Sequence, residues 1–306
     1  MSLAALVAAL LLEQWRPLVE RRYLFSLAAR YAMFLEQQFN AGEAEHGAIA
    51  WLIAVLPPVL ATWAVYALLW RVSPLLALAF NVVALYFTMG FRQFSHHFTE
   101  IHLALKQDDI ARARDVLSQW LGQRCDELDR EALVRITIEQ ALVASHRHVF
   151  GVVLWFVLLP GPSGAVLYRL AVFLKRRWAG AHTDTGPFGR FSARALALLE
   201  WPALRATAVS FAIVGDFEDA VYCWRTQAAS WPDPGLGIVL AAGAGAMGVK
   251  LGMPVSEHGG LVDRPPLGVG DDADTGFLDS AIGLVWRALI LWLMLLLLLG
   301  LATVVR

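Results

Sequence analysis

The C-terminal stretch ALILWLMLLLLLGLATVV, from Ala288 to Val305, decides the class of fold because it contains 18 residues without a charge. At about 1.5 Å rise per residue, such a helix with its flanks covers roughly the 30 Å hydrocarbon core of a bilayer. The same surface would aggregate in water. A tail removed for glycolipid anchoring is also apolar, but it follows a soluble body. We therefore expect residues 278–306 to form a transmembrane helix.

The rest of the chain is also too apolar for a soluble body. Of its 306 residues, 58% are hydrophobic and 17% are charged, whereas an ordinary globular domain carries about 25% charge. Three more charge-free runs, at 47–70, 72–91 and 149–168, are long enough to span. The sequence predicts an all-α fold: a multi-pass helical integral membrane protein with membrane-associated polar helices, in contact with lipid, as one membrane domain over residues 1–306.

Charge and cysteine content exclude two other classes. The net charge is −1 and the isoelectric point is near 6.7, so the chain lacks the basic surface that nucleic-acid binding requires. Cys125 and Cys223 are far apart and belong to no metal-binding spacing, so we expect free thiols, with neither a disulfide framework nor a zinc site.

The parts between the apolar runs differ in character. Residues 1–12 predict a short interfacial or half-inserted helix, and 13–46 predict an amphipathic helix or helix pair against the membrane face. Arg71-Val72-Ser73-Pro74 is the only break between two runs, which predicts a tight hairpin because proline disfavours helix in the preceding residue. Residues 196–252 predict membrane-associated helices, and 253–277, acidic and rich in glycine and proline, predict a loop.

The largest polar stretch is 92–148, which we interpret as a helical insertion between spans. Apolar residues recur at helical spacing through it, and a turn is expected at Gly122. Asp108 or Asp109 is expected to cap the helix that follows, because a carboxylate accepts the free amide hydrogens of a first turn.

Two features bear on topology. Residues 175–195 hold five cations and the single acid Asp184, which favours a cytoplasmic loop. Gly161-Pro162-Ser163-Gly164 interrupts the preceding run, so residues 149–174 either cross once or form a re-entrant hairpin, and the side that holds 92–148 depends on which. Broken helices in membranes need cover for their freed backbone groups, so the break itself points mildly to a site.

Two motifs resemble known ligand sites. Residues 243–248, GAGAMG, fit the dinucleotide pattern GxGxxG, but no alternation of strands and helices surrounds them, so close helix packing is the favoured interpretation. Residues 95–102, SHHFTEIH, contain three histidines and Glu100 without a metalloenzyme order, which favours an interfacial helix over a metal site.

Acidic residues near the apolar runs are the candidate site residues. Glu139 lies shortly before the run at 149–168 and four residues after Arg135, so a structural ion pair between them is the simplest expectation. Asp216, Glu218 and Asp219 suit either a pair of catalytic carboxylates or the start of a helix after Gly215.

Three segments resemble the CobD/CbiB family, membrane enzymes that attach an aminopropanol or its phosphate to adenosylcobyric acid in cobalamin biosynthesis. Residues 106–142 resemble the family segment "gDl..AR..L..ivGRdt..L" and the glutamate-bearing helix after it. Residues 198–221 resemble its "nwiPaRlTal" helix, with matches at Pro202 and Arg205 and a shifted match at Thr207. Residues 240–253 resemble its "AAmAGALGvrLGG".

Other family motifs are absent. The "HPVrliG" of the first loop is missing, EQALVASHRH (139–148) replaces "vENlsDg", and YRLAVFLKRRW (168–178) replaces "YkavNTLDSMvGY". Residues 150–170 instead resemble the AmpE branch of the superfamily, which comprises membrane modulators of β-lactamase-induction signalling.

The resemblance leaves two functions open. In the first, the protein is an amide-forming enzyme of the bacterial inner membrane, Glu139 is the general base, and Arg114, Arg205 and Asp216 bind the corrinoid substrate in a polar cavity. In the second, it is a noncatalytic AmpE-like sensor whose 92–148 segment binds a membrane protein partner. Neither function identifies a cofactor.

Overall fold

A computed structural model describes residues 2–15, 22–40, 44–179, 187–257 and 260–305. In chain order the elements are α1 (Ser2–Trp15), α2 (Arg22–Phe39), α3 (Ala44–Val72), α4 (Pro74–Thr88), α5 (Phe91–Lys106), α6 (Ile110–Leu121), α7 (Arg130–Ser145), a π turn (His146–Phe150), α8 (Gly151–Leu158), α9 (Ser163–Trp178), α10 (Pro187–Val214), α11 (Phe217–Gln227), a 3₁₀ turn (Ala228–Ser230), α12 (Pro234–Met247), β1 (Val255–Glu257), β2 (Gly260–Val262) and α13 (Gly276–Val305).

The fold is that of an all-α multi-pass membrane protein, as predicted. Within the described residues, four helical stretches are long and apolar enough to cross a bilayer: Glu45–Val72, Arg130–Leu158, Pro187–Val214 and Gly276–Ala302. The helices α1, α4 and α12 are apolar but shorter.

The set of spans differs in part from the expected one. The runs at 47–70 and 288–305 become α3 and the end of α13, but the run at 72–91 yields only the 15-residue α4. Residues 187–214, which we expected to be partly a cytoplasmic loop and partly membrane-associated, instead form one 28-residue helix. The loop expectation for 175–195 rested partly on residues 180–186, including Asp184, and those lie outside the described residues.

The chain forms two compact units, each drawn from two separate parts of the sequence. Unit 1 comprises Met1–Gly90 with Arg147–Pro202, and unit 2 comprises Phe91–His146 with Ala203–Arg306. Because both units are discontinuous, no single cut in the sequence separates them. The single domain over 1–306 therefore stays a prediction.

Unit 1 contains two helical hairpins. Ser73 caps α4 with its hydroxyl, Pro74 occupies the first turn, and α4 packs on both α3 and α1, which is the hairpin that the sequence predicted. The second hairpin joins α8 to α9 through Gly161, whose φ is +63°. The two helices are so close that a Cβ on Gly164 would lie 1.9 Å from the carbonyl oxygen of Trp155.

Unit 2 begins with three helices whose ends follow the sequence signals. Asp109 caps α6 by accepting from the backbone amide of Arg112, and Gly122 ends that helix in the left-handed conformation; both positions were predicted. Asp129 caps α7 in the same way, through the amide of Ala132. Most of α7 is buried, and it packs against α5, α12 and α13.

Close packing of α12 against α11 explains the small residues of 243–248. A Cβ on Gly245 would lie 2.4 Å from the carbonyl oxygen of Asp219, and a Cβ on Gly243 would lie 2.7 Å from the side chain of Leu142. The segment forms the C-terminal part of a helix, with no strand before it. The glycines therefore allow close packing of helices, as the favoured interpretation predicted.

The described parts of residues 248–275 contact these helices through Gly252 and Gly268, and the expected loop includes a pair of short strands. Strands β1 and β2 pair antiparallel, and outside them Leu251 and Leu267 exchange backbone hydrogen bonds of 2.7 and 2.9 Å. The Gln227 side chain at the end of α11 donates to the carbonyl oxygen of Gly268 and accepts from its amide. The segment is thus fixed at several points.

Candidate functional site

Glu139 lies near the middle of α7 and is 4% exposed. It also falls inside the Arg130–Leu158 stretch, which is long and apolar enough to cross a bilayer. A buried carboxylate is costly unless hydrogen bonds or an opposite charge compensate it. Ionisable residues within membrane-spanning helices are rare, and those that occur usually have a function. The partners of Glu139 therefore decide what it can do.

Two groups from the segment after α12 hold the Glu139 carboxylate. The backbone amide of Gly252 donates to Oε1 at 2.9 Å, and the guanidinium of Arg264 donates to Oε2. The side chains of Arg264 and Glu139 are only 15% and 5% exposed. The Arg264 guanidinium also stacks 5.0 Å from the ring centre of Trp231. This is a desolvated, charge-assisted contact, which is the stronger kind of ion pair.

The expected pair between Arg135 and Glu139 is wrong. Arg135 instead pairs with Glu131, one turn earlier on α7. The spacing of four residues allowed either partner, since both lie on the same helix face. The Glu139 carboxylate is instead held by groups from a distant part of the chain.

The local backbone explains how two groups twelve residues apart reach one carboxylate. The bridge between Leu251 and Leu267 closes the chain into a loop with Gly252 at one end and Arg264 near the other. Gly252 has φ of +74°, and a Cβ there would lie 2.1 Å from the carbonyl oxygen of Pro265. Only glycine fits that conformation and that space. We call the described residues 251–257 and 260–267 the Glu139 strap.

The other predicted site residues make local contacts. Arg114 donates from Nε and Nη2 to the carbonyl oxygen of Leu128, at 2.9 and 2.6 Å, which joins α6 to the connection before α7. Asp216 caps α11 by accepting from the amide of Asp219, so the helix-start interpretation is confirmed. Arg205 is half-buried on α10. These contacts of Arg114 and Asp216 do not bring either residue to Glu139.

The buried polar contacts of unit 2 also include His146. Its Nδ1 lies 2.9 Å from the Thr207 hydroxyl, and that hydroxyl donates to the carbonyl oxygen of Ala203 one turn earlier on α10. Both residues are fully buried. Thr207, which the family resemblance singled out, therefore links α10 to the end of α7.

Unit 1 holds a second buried charge pair that the sequence did not predict. Arg147 Nε lies 3.2 Å from Glu200 Oε1, and the two side chains are 13% and 7% exposed. Each residue lies inside a stretch long enough to span a bilayer. The sequence shows a charged residue in each of these two apolar stretches, which could have indicated an ion pair. The two residues are 53 positions apart, however, and no local pattern relates them.

The described residues contain no group of three or more histidine, cysteine, aspartate or glutamate side chains placed to hold a metal ion. His96 and Glu100, which the sequence singled out, lie 3.7 Å apart on α5; His96 is exposed and Glu100 is half-buried. Neither Cys125 nor Cys223 forms a disulfide in the described part of the chain, and both are buried. Burial and the nearby Asp219 raise the pKa of the Cys223 thiol to about 11, which disfavours the reactive thiolate.

Fold and site together define a multi-pass helical membrane protein with a buried acid held by a loop. The sequence profile described as "CobD/Cbib protein" matches residues 3–285. The chain belongs to this family, as its sequence segments indicated.

Named relatives agree with that assignment. The chain is 35% identical over 297 residues to the cobalamin biosynthesis protein CobD of Stutzerimonas stutzeri, which covers 96% of both chains. It is 37% identical over 246 residues to CobD of Chromobacterium violaceum, covering 80% of this chain and 77% of the relative. It is 27% identical to the cobalamin biosynthesis protein CbiB of Salmonella typhimurium, covering 79% and 77%. No solved structure is significantly similar.

Proposed function

We propose that this protein is an amide-forming enzyme of cobalamin biosynthesis in the bacterial inner membrane. Its reaction attaches aminopropanol or aminopropanol phosphate to adenosylcobyric acid, and Glu139 is its acid–base residue. The observation that carries the proposal is the buried Glu139 carboxylate under the strap, in a chain of the CobD/CbiB family.

The amine substrate explains the need for an acid–base residue. A primary alkylamine is an ammonium ion at neutral pH, and it must lose a proton before nitrogen can attack a carbonyl carbon. A carboxylate in a site shielded from water is suited to accept that proton. In the proposed reaction the proton passes from the ammonium nitrogen to a Glu139 oxygen.

Arg264 gives the strap a role in the same reaction. A guanidinium binds carboxylate and phosphate groups through two parallel hydrogen bonds. An anionic substrate that binds Arg264 releases the Glu139 carboxylate from its ion pair, and the carboxylate becomes available as the base only when substrate is present. Arg205, Arg114 and Asp216 remain proposed substrate-binding residues.

The carboxyl group of the corrinoid must be activated before attack, because hydroxide is a poor leaving group. In the proposed reaction a nucleoside triphosphate first converts it into an acyl phosphate, and attack by the amine nitrogen then forms the amide bond and releases inorganic phosphate. The assay therefore contains purified protein in detergent, adenosylcobyric acid, aminopropanol phosphate, ATP with Mg²⁺ and the small-molecule fraction of a lysate. Mass spectrometry follows the amide product. An active relative such as Stutzerimonas stutzeri CobD is the positive control.

We expect product from the wild type and loss of product from Glu139→Gln. The control is Asp115→Asn, which removes a carboxylate from an exposed position on α6; it should retain activity. A folded wild-type protein that gives no product beside the active relative would overturn the proposal. The noncatalytic, AmpE-like role with a membrane protein partner would then be the remaining function.

A further inference from the structure

Trp231 lies beside both groups that hold the Glu139 carboxylate. The Arg264 guanidinium lies over the Trp231 ring, 5.0 Å from the ring centre. Cζ3 of the same ring lies 3.3 Å from the position that a Cβ on Gly252 would take. One side chain thus packs against the guanidinium donor and next to the amide donor at once.

The backbone of Trp231 is fixed on both sides. Before it, the 3₁₀ turn accepts its amide hydrogen through the carbonyl oxygen of Ala228, at 3.4 Å. After it, the Asp233 carboxylate caps α12 by accepting from the first backbone amides of that helix. A Cβ on Gly237 would lie 2.9 Å from the Cβ of Trp231. A closely packed junction between two helical elements therefore carries the indole ring.

The part of the strap beside Trp231 has a less favourable backbone. Gly252 and Met253 have φ of +74° and +65°, and the left-handed conformation is costly for a residue that carries a Cβ. Such a conformation persists only where the surrounding structure enforces it. The Trp231 ring, packed next to Gly252, contributes to that constraint.

Stacking on Trp231 leaves the hydrogen-bond donors of Arg264 available. The N–H donors of a guanidinium all lie in its plane, whereas an aromatic ring attracts a cation through its face. Within the described part of the chain, the hydrogen bond of Arg264 is the one that Nη2 donates to Glu139. The tryptophan thus holds the guanidinium without neutralising its charge or occupying its donors, which a second carboxylate would do.

We propose that Trp231 is a positioning residue for the proposed reaction. It holds the Arg264 guanidinium in place while the donors of Arg264 exchange the Glu139 carboxylate for an anionic group of the substrate. The inference rests on the proposed function and names the side chain that keeps Arg264 aligned when its ion pair opens. The anionic group is a carboxylate or a phosphate, because a guanidinium binds both through the same paired hydrogen bonds.

Replacement of Trp231 should change KM rather than kcat. A contact that is equally strong in the ground state and the transition state affects substrate binding alone. Trp231→Leu retains an apolar side chain without an aromatic face, and we expect KM for the substrate that contacts Arg264 to rise roughly tenfold. Trp231→Phe should give a smaller rise, since phenylalanine offers a weaker face than tryptophan. A purely structural role would instead reduce the amount of active protein and therefore kcat.

The Arg264→Lys background tests whether Trp231 acts through Arg264. Lysine keeps a positive charge beside Glu139, which limits the risk of misfolding, but it lacks the planar group that stacks on the ring. In this background Trp231→Leu should raise KM, and lower the unfolding temperature in detergent, at most about half as much as it does in the wild type. Additive effects on the unfolding temperature would show that the two side chains do not interact, and they would overturn the inference whether or not the protein is active.

Trp224→Leu is the matched control. Trp224 lies on α11 in the same unit and is half-buried like Trp231. It takes no part in the contacts that hold Glu139 and Arg264. The variant removes the same kind of ring and should keep the KM of the wild type.

The KM of each substrate in turn identifies the group that Arg264 binds. Adenosylcobyric acid, aminopropanol phosphate and ATP are varied one at a time, and aminopropanol replaces its phosphate in a separate series. A rise with aminopropanol phosphate but not with aminopropanol assigns the contact to the phosphate of the amine. A rise for adenosylcobyric acid assigns it to a corrinoid carboxylate, and a rise for ATP assigns it to the nucleotide.

The two possible failures give different results. If the wild type gives no product, the proposed function is overturned, and the role of Trp231 in the reaction is overturned with it. If the wild type is active but Trp231→Leu has the KM of Trp224→Leu for every substrate, or loses only kcat, the positioning role alone is overturned.

Discussion

Glu139 and Arg264 are 125 positions apart in the chain, yet their side chains form a buried ion pair. Their contact joins the centre of α7 to the strap, and the amide of Gly252 completes it. Within the described residues, the strap is the part of unit 2 that contains β-strands. The pair therefore joins it to a helical stretch that is long and apolar enough to cross a membrane.

Loss of one partner of this pair should destabilise the protein strongly. Arg264→Gln leaves the Glu139 carboxylate buried without its counter-charge, and such changes cost about 3–5 kcal/mol. The free energy of unfolding in detergent and denaturant measures the effect. The control is Lys250→Gln, whose partner Asp272 is 71% exposed, so a change below about 1 kcal/mol is expected.

The double variant Glu139→Gln/Arg264→Gln separates pairing from packing. Removal of both charges should restore part of the stability lost in Arg264→Gln, because no uncompensated charge remains. If the double variant is as unstable as the sum of the two single variants, the residues do not interact in the folded protein.

Close helix packing at Gly245 should not tolerate a methyl group. In Gly245→Ala the new Cβ meets the backbone of Asp219 and Ala220, and we expect a loss of about 1–3 kcal/mol. Gly283→Ala on α13 is the matched control, because a Cβ there meets nothing within 4 Å. It should be neutral or slightly stabilising, since alanine favours helix over glycine. Equal effects of the two substitutions would contradict the packing described for α11 and α12.

Asp216 distinguishes a structural role from a substrate-binding role. Asp216→Ala removes the cap of α11 and should cost about 1 kcal/mol, whereas asparagine retains a capping oxygen and should cost less. If Asp216 only caps the helix, Asp216→Asn keeps the KM of the proposed reaction. A rise in KM at unchanged unfolding free energy would instead support the proposed contact with substrate.

His102 should make the protein less stable in acid. It is 7% exposed, and burial lowers its pKa from 6.5; Lys106 lowers it further, whereas Asp279 raises it. The unfolded chain therefore binds a proton at a pH where the folded chain does not, so the contribution of His102 is zero above 6.5 and becomes destabilising as the pH falls from 6.5 toward the lowered pKa.

The measurement is the unfolding free energy of the wild type and of His102→Gln between about pH 5 and 8. We expect the wild type to lose stability relative to the variant on acidification. A difference that stays constant over this range would show that protonation of His102 is not coupled to folding.

The sequence predicted features that depend on neighbours along the chain. Ser73, Asp109, Gly122 and Asp216 all mark helix ends where they were expected, because caps and left-handed glycines act within one turn. The sequence also predicted the apolar helices α3 and α13, because the length and composition of a run are enough to recognise a spanning helix.

The site was only partly predictable. Glu139 was singled out, but its partner Arg264 was not, because a contact over 125 positions leaves no trace in local spacing. The same holds for Arg147 and Glu200. The sequence did not predict the 28-residue α10 as one helix, because charged residues such as Arg190, Arg194 and Arg205 interrupt its apolar residues.

The discontinuity of the two units sets an order on synthesis. Residues 91–146 are synthesised before the second part of unit 1, at 147–202. Unit 2 cannot form its buried ion pair until Arg264 has been synthesised, which happens long after Glu139 and shortly before α13. During translation Glu139 is therefore made without its counter-charge, and the buried pair can form only after 125 more residues have been added.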